Sequence, residues 1–84
     1  LSKVMDLTSE ECPIPFIKAM ATLTKMKEGD TLEVITSDQK CYDMIVEGVK
    51  TLEQELTSAE KKGNVYHIVI KRRSTKKNSS SSNC

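Results

Sequence analysis

Cys12, Cys41 and Cys84 are the three sulfur nucleophiles of this chain, and Cys12 stands in the most pointed setting. It is followed by Pro13, Ile14 and Pro15, and then by a stretch to Met26 that reads as a helix. Proline is harmless in the first turn of a helix, because the N–H it lacks has no intrahelical partner there. The two prolines thus predict a helix start, with Cys12 at the N-cap, Pro13 at N1 and Pro15 at N3. A thiolate there gains from unpaired first-turn amides and from the positive end of the macrodipole. Free cysteine titrates near ~8.5, and helix N-termini are among the settings that lower that value. Glu10 and Glu11 oppose the effect, since like charge disfavours a second anion. The expectation is a modestly activated thiol, with these two carboxylates as its modulators.

No His, Asp or Ser stands in a recognisable partner position for Cys12, so a Cys-His hydrolase has no support. A nucleophile without a visible base suits thiol exchange, in which sulfur is taken from a persulfide and passed on. The plainer reading is a cysteine that only caps a helix. The other candidates are weaker. Three cysteines at long spacings make no disulfide framework, and without a C-x-x-C they make no metal site. The thiols are expected to stay free in a reducing cytosol. His67 lies in an apolar strand pattern and lacks companion ligands. Cys41 falls on a helical apolar stripe and reads as a buried structural thiol. Should the loop after the second strand approach the first helix, Cys41 would be in reach to resolve Cys12. Cys84 ends a polar tail and reads as incidental.

These residues need elements to hold them. Lys3 to Leu7 is a short, partly alternating strand. The first helix is expected from Pro13 to about Lys27, with Phe16, Ile17, Met20, Leu23 and Met26 as its apolar stripe. Gly29 stops it. "DTLEVITSD" is a strand carrying Leu32, Val34 and Ile35, and Asp38 is a fair cap for a second helix from about Lys40 to Glu55. Its stripe is Cys41, Met44 or Ile45, Gly48 or Val49, Leu52 and Leu56. Gly48 costs about 1 kcal/mol relative to Ala in a helix, which suggests close packing against the sheet or a local irregularity. The segment from Thr57 to Arg73 reads as two strands turning at Lys62-Gly63-Asn64, with Tyr66, Ile68 and Ile70 on one face of the last. The order β-α-β-α-β-β predicts an α/β two-layer sandwich, a four-stranded mixed sheet with both helices on one face.

Composition bounds the function. The chain has 84 residues, an apolar fraction of 37%, a single Phe and no Trp, so one small aliphatic core is all it can build. No apolar run reaches the roughly 18 to 20 residues that span a bilayer, and no signal peptide precedes the first strand, which makes the cytoplasm the expected location. Net charge is +1, but the 12 acidic residues all lie within residues 1–70 beside 8 basic ones, leaving that body at −4. Five positive charges follow from Lys71 onward. Residues 1–73 are expected to form the domain and 74–84 a disordered basic, Ser-rich tail.

Together, Asp6-Leu7, Cys12-Pro13-Ile14-Pro15, Gly29-Asp30-Thr31-Leu32 and Ser37-Asp38 resemble the TusA (SirA-like) sulfur-carrier family over roughly residues 3 to 72. Members share D-L-x-G-x-x-C-P-x-P, a G-D-x-L entry to the second strand and a following D-rich loop. The resemblance implies the same β-α-β-α-β-β fold and a cytosolic carrier that holds a persulfide on Cys12, with no cofactor. It implies a donor such as a cysteine desulfurase or rhodanese, and an acceptor such as a DsrE-like protein. The family's contexts are tRNA thiolation, molybdenum-cofactor maturation and sulfur oxidation. This chain departs from the pattern at Thr8-Ser9, where Arg-Gly or Ser-Gly is usual, and at Gln39, where Pro often follows the Asp.

Two functions of different kinds follow. The first is a sulfurtransferase-type carrier using Cys12. The second is a non-catalytic interaction module that binds RNA or a regulatory protein through the open sheet face and the segment from Lys71 to Lys77. Scarce aromatics for base stacking argue against RNA.

Overall fold

The computed structural model describes residues 2–74. The expected tail and Cys84 lie outside them, apart from Ser74. Six elements follow one another: β1 (Ser2–Asp6), α1 (Ile14–Lys25), β2 (Thr31–Thr36), α2 (Gln39–Thr51), β3 (Glu55–Lys62) and β4 (Val65–Lys71). The strands form one sheet in the order β1-β2-β4-β3. β1 runs parallel to β2, whereas β4 is antiparallel to both β2 and β3. This is the expected mixed two-layer sandwich.

Period-two alternation accounts for the sheet's two faces. Leu32, Val34 and Thr36 of β2, with Tyr66, Ile68 and Ile70 of β4, are buried on the helix side. They meet Ala19 and Leu23 of α1 and Ile45 and Val49 of α2 in one core. The other face carries Glu33, Ile35, His67 and Val69, each half-buried. There Nδ1 of His67 lies 2.8 Å from Oε2 of Glu33, so the histidine is a paired open-face residue. The β3–β4 hairpin turns at Gly63, whose φ of 65° suits glycine, and at Asn64.

Three expectations about the helices are corrected. The buried face of α1 is Pro15, Ala19 and Leu23, with Phe16 and Met20 half-buried beside them, and Ile17 is 54% exposed. At 100° per residue the face that includes Pro15 and Ala19 turns Ile17 to solvent. α2 ends at Thr51 rather than Glu55, through a Schellman closure: Gln54 N–H donates to Val49 O and Glu53 N–H to Lys50 O, each at 3.0 Å. Leu52 is thereby left 40% exposed, and Leu56 belongs to β3. Gly48 is packed closely, but against α1. A Cβ there would stand 3.1 Å from Sδ of Met20 and 3.2 Å from Cε1 of Phe16.

Candidate functional site

Parallel neighbours in a sheet place their carboxyl ends at one edge. The loops that leave β1 and β2 therefore lie side by side, and each delivers its chain to a helix N-terminus. Leu7 N–H donates to Ile35 O at 2.8 Å, and Ser37 Oγ donates to Thr8 O at 3.1 Å, which ties the two loops together. The first loop also turns on itself. Asp6 Oδ1 accepts from Thr8 Oγ1 at 2.7 Å and from Thr8 N–H at 3.1 Å, and these bonds hold the Asp6 carboxyl below the usual carboxylate range. Glu53 is the single non-glycine residue with positive φ among the described residues, so Ser9 needs no glycine's freedom in this turn.

Cys12 reaches the helix mouth one position earlier than expected. The N-cap of α1 is Pro13, so Ile14 is N1 and Pro15 is N2. Cys12 immediately precedes the cap, joined to Pro13 by a cis peptide bond. The prolines also thin out the donors that were expected to serve the thiol. Neither carries an N–H, Ile14 N–H donates to Glu11 O at 2.8 Å, and Phe16 keeps the first-turn amide without a partner among the described residues. Pro15 is instead a core residue, buried under the helix it starts.

The second helix supplies what the first loop lacks. Asp38 is its N-cap, as expected, and accepts from Cys41 N–H at 3.0 Å. Cys41, at N3, is fully buried and faces Cys12 across the two loops. The Cα atoms are 5.6 Å apart and the two residues are paired as a disulfide, although 29 positions separate them. The expectation of free thiols is thereby corrected for this pair. Cys41 is buried, as its place on the apolar stripe led one to expect, and the loop after β2 does approach α1, which brings Cys41 within reach of Cys12. Cys12 remains half-buried, and its sulfur lies 3.7 Å from Sδ of Met44.

Charge around the sulfur is mixed. A small pocket at Cys12 and Pro13 is walled by Glu11, Asp38, Lys40 and Met44. Of the two carboxylates expected to modulate Cys12, Glu10 is engaged by Lys18 of α1 at 3.0 Å and Glu11 is exposed beside the pocket. Asp38 is a third that sequence reasoning used only as a cap. One of its oxygens and the sulfurs of Cys12 and Cys41 lie within 4.8 Å of one another. A disulfide offers no thiolate to a cation, so the donor set suits a metal only in the reduced form. Met44 also borders a groove of about 740 Å³ between the helices, floored by Phe16, Met20 and Gly48.

Fold and site together define a small two-layer α/β domain that presents one half-open cysteine where two helices begin. The family model described as sulfurtransferase TusA matches residues 3–72, and the chain belongs to that family. It is 29% identical over 68 residues to the sulfur carrier protein TusA of Allochromatium vinosum, covering 81% of this chain and 90% of that protein. A candidate sulfur carrier protein of Archaeoglobus fulgidus is 32% identical over 69 residues, covering 82% of this chain and 94% of its own. The crystal structure of a SirA-like protein from Desulfitobacterium hafniense shares the fold, with a TM-score of 0.74 at 19% identity over 86% of this chain and 99% of that one.

Proposed function

We propose that this protein is a sulfur carrier in which the Cys12 thiolate accepts a sulfane sulfur as Cys12–S–S⁻ and passes it to a partner protein. The observation that carries the reading is the placement of the Cys12 sulfur, half-buried in a pocket at the start of two helices. Sulfur relay asks for an accessible thiolate that is both a fair nucleophile and a fair leaving group. It asks for no general base, and no histidine meets Cys12, since His67 pairs with Glu33 on the opposite face of the sheet. The positive ends of two helices favour the terminal anion of a persulfide, while Glu11 and Asp38 weaken the hold enough for release.

The donor in this reading is a cysteine desulfurase or a rhodanese-like protein, and the acceptor a DsrE-like or other relay component, all in the cytoplasm. Either partner brings its own sulfur to Cys12 and covers Met44 and the adjoining groove. None of the 73 described residues forms a helix long and apolar enough to cross a membrane. The rival reading is a non-catalytic module that binds RNA or a regulatory protein through the open sheet face. Its RNA version lacks stacking residues there: the two tyrosines meet each other on the helix side of the sheet, with ring centroids 4.6 Å apart.

The test uses protein carrying Cys41→Ala and Cys84→Ser, so that Cys12 is the one thiol present. Incubation with a cysteine desulfurase and cysteine is expected to add about 32 Da, one sulfur atom, to the intact mass. The gain should vanish with Cys12→Ser. No adduct on Cys12 in the properly folded protein overturns the proposal.

A further inference from the structure

We propose that Cys41 is a resolving thiol, which discharges an undelivered persulfide from Cys12 as hydrosulfide and closes the Cys12–Cys41 disulfide. The inference rests on the carrier reading of Cys12 and adds to it a second reaction at the same site. It places the protein's sulfur at a branch, with delivery to a partner on one side and release on the other.

Two observations carry it. The first is reach. With Cα atoms 5.6 Å apart, the two residues sit within the 4.4 to 6.8 Å span that a direct disulfide bridges, so no backbone movement is needed to join them. The second is confinement. Cys41 has no exposed surface, whereas Cys12 is half-buried and open to its pocket. A protein partner that approaches from solvent meets Cys12 and not Cys41. The electrophile within reach of Cys41 is therefore whatever Cys12 carries.

The step balances without an added reagent. The Cys41 sulfur attacks the inner sulfur of Cys12–S–S⁻, a new Sγ–Sγ bond forms, and the bond from Cys12 Sγ to the outer sulfur breaks. The electron pair of the broken bond leaves with the outer sulfur, and the proton of Cys41 ends on it, giving HS⁻. The sulfane sulfur is reduced to sulfide while the two cysteine sulfurs are oxidised to the disulfide. Attack on the inner sulfur is the course that yields the direct disulfide, for which the Cα separation of 5.6 Å is suited. The disulfide is reopened by a dithiol reductant entering at the accessible Cys12, which returns both thiols and the carrier's capacity.

The experiment compares wild type with Cys41→Ala, both carrying Cys84→Ser and both fully reduced beforehand. Each is loaded by a short pulse of inorganic polysulfide, freed of excess reagent, and followed by intact mass and by a sulfide probe. The Cys41→Ala protein is expected to hold its adduct of about 32 Da. Wild type should lose it roughly tenfold or more faster, as suits an intramolecular thiol. The loss should release one equivalent of sulfide and leave a mass about 2 Da below the reduced protein. Peptide mapping should find residues 12 and 41 joined. An adduct equally long-lived in both proteins overturns the resolving role and leaves the carrier reading intact, as does an adduct that moves to Cys41 without sulfide release. Failure of folded Cys41→Ala to load at all overturns the carrier reading and this inference with it. Should Cys41→Ala not fold, wild type decides alone: sulfide released in step with the mapped 12–41 disulfide supports the role, and a persistent adduct rejects it.

Discussion

The thioether of Met20 lies over the backbone of Gly48, so that a Cβ at that glycine would stand 3.1 Å from Sδ, and 3.2 Å from the Phe16 ring. The two helices approach closely because position 48 has no side chain. An alanine in a helix interior normally gains about 1 kcal/mol over glycine. Gly48→Ala is expected to forfeit that gain here, and Gly48→Val to lose about 1 to 3 kcal/mol by overpacking. Urea denaturation of both variants checks this. In a Met20→Ala background the clash is relieved on one side, and Gly48→Ala should then stabilise. A full alanine gain in the wild-type background would contradict the packing.

Glu53 holds φ of 59° at the position after the C-cap of α2, where glycine is the usual occupant. A left-handed conformation costs a residue with a Cβ roughly 1 kcal/mol. Glu53→Gly is expected to raise the unfolding free energy by about that amount, in thermal or urea unfolding. A loss of stability would show that the glutamate's own interactions outweigh the backbone cost.

Asp6 sits under two hydrogen bonds from Thr8, the hydroxyl's being the stronger influence, and its carboxyl titrates below the ordinary value of 3.8. Because the folded value is the lower one, this carboxylate stabilises the protein above the unfolded value. The benefit is lost as pH falls through the folded one. Thr8→Val removes the hydroxyl and keeps the backbone bond. The Asp6 titration, followed by NMR, should then move up toward the ordinary value, and the variant's disadvantage against wild type should shrink below about pH 4. An unmoved Asp6 titration would rule the hydroxyl out as the cause.

Asp38 has two consequences that a pair of substitutions separates. Asp38→Ala removes the N-cap of α2 and should cost about 0.5 to 2 kcal/mol. Asp38→Asn keeps an acceptor for Cys41 N–H but removes a charge close to the Cys12 sulfur. In the reduced protein it is expected to speed alkylation of Cys12 by iodoacetamide about threefold at neutral pH, an effect that salt attenuates. An unchanged rate would show that solvent already screens this carboxylate from the thiol.

Most of the fold was legible because β2 and β4 are rich in β-branched residues and alternate in burial, and each helix has a breaker or cap of known chemistry. Asp38, Gly63 and Gly29 did that punctuating visibly. The end of α2 was not legible, because Glu53 occupies a left-handed position without being a glycine. The exposure of Ile17 was missed because a small residue, Ala19, takes the buried position that a search for large apolar side chains passes over. At the site, Cys12 and its prolines were conspicuous in the chain. The partner was not, since it lies 29 positions further along the chain and Cys41 is disguised by its place on an apolar stripe. The signal that finds it is topological: β1 parallel to β2 puts the starts of both following helices at one sheet edge.

That edge has a consequence for how such a domain can diversify. Position 41 is the first inward-facing site of α2, and the shared edge of β1 and β2 sets it opposite the nucleophile whatever residue it holds. Under the proposed resolving role, one codon there would switch the outlet of a sulfur held on Cys12 while the loop that carries Cys12 stays untouched.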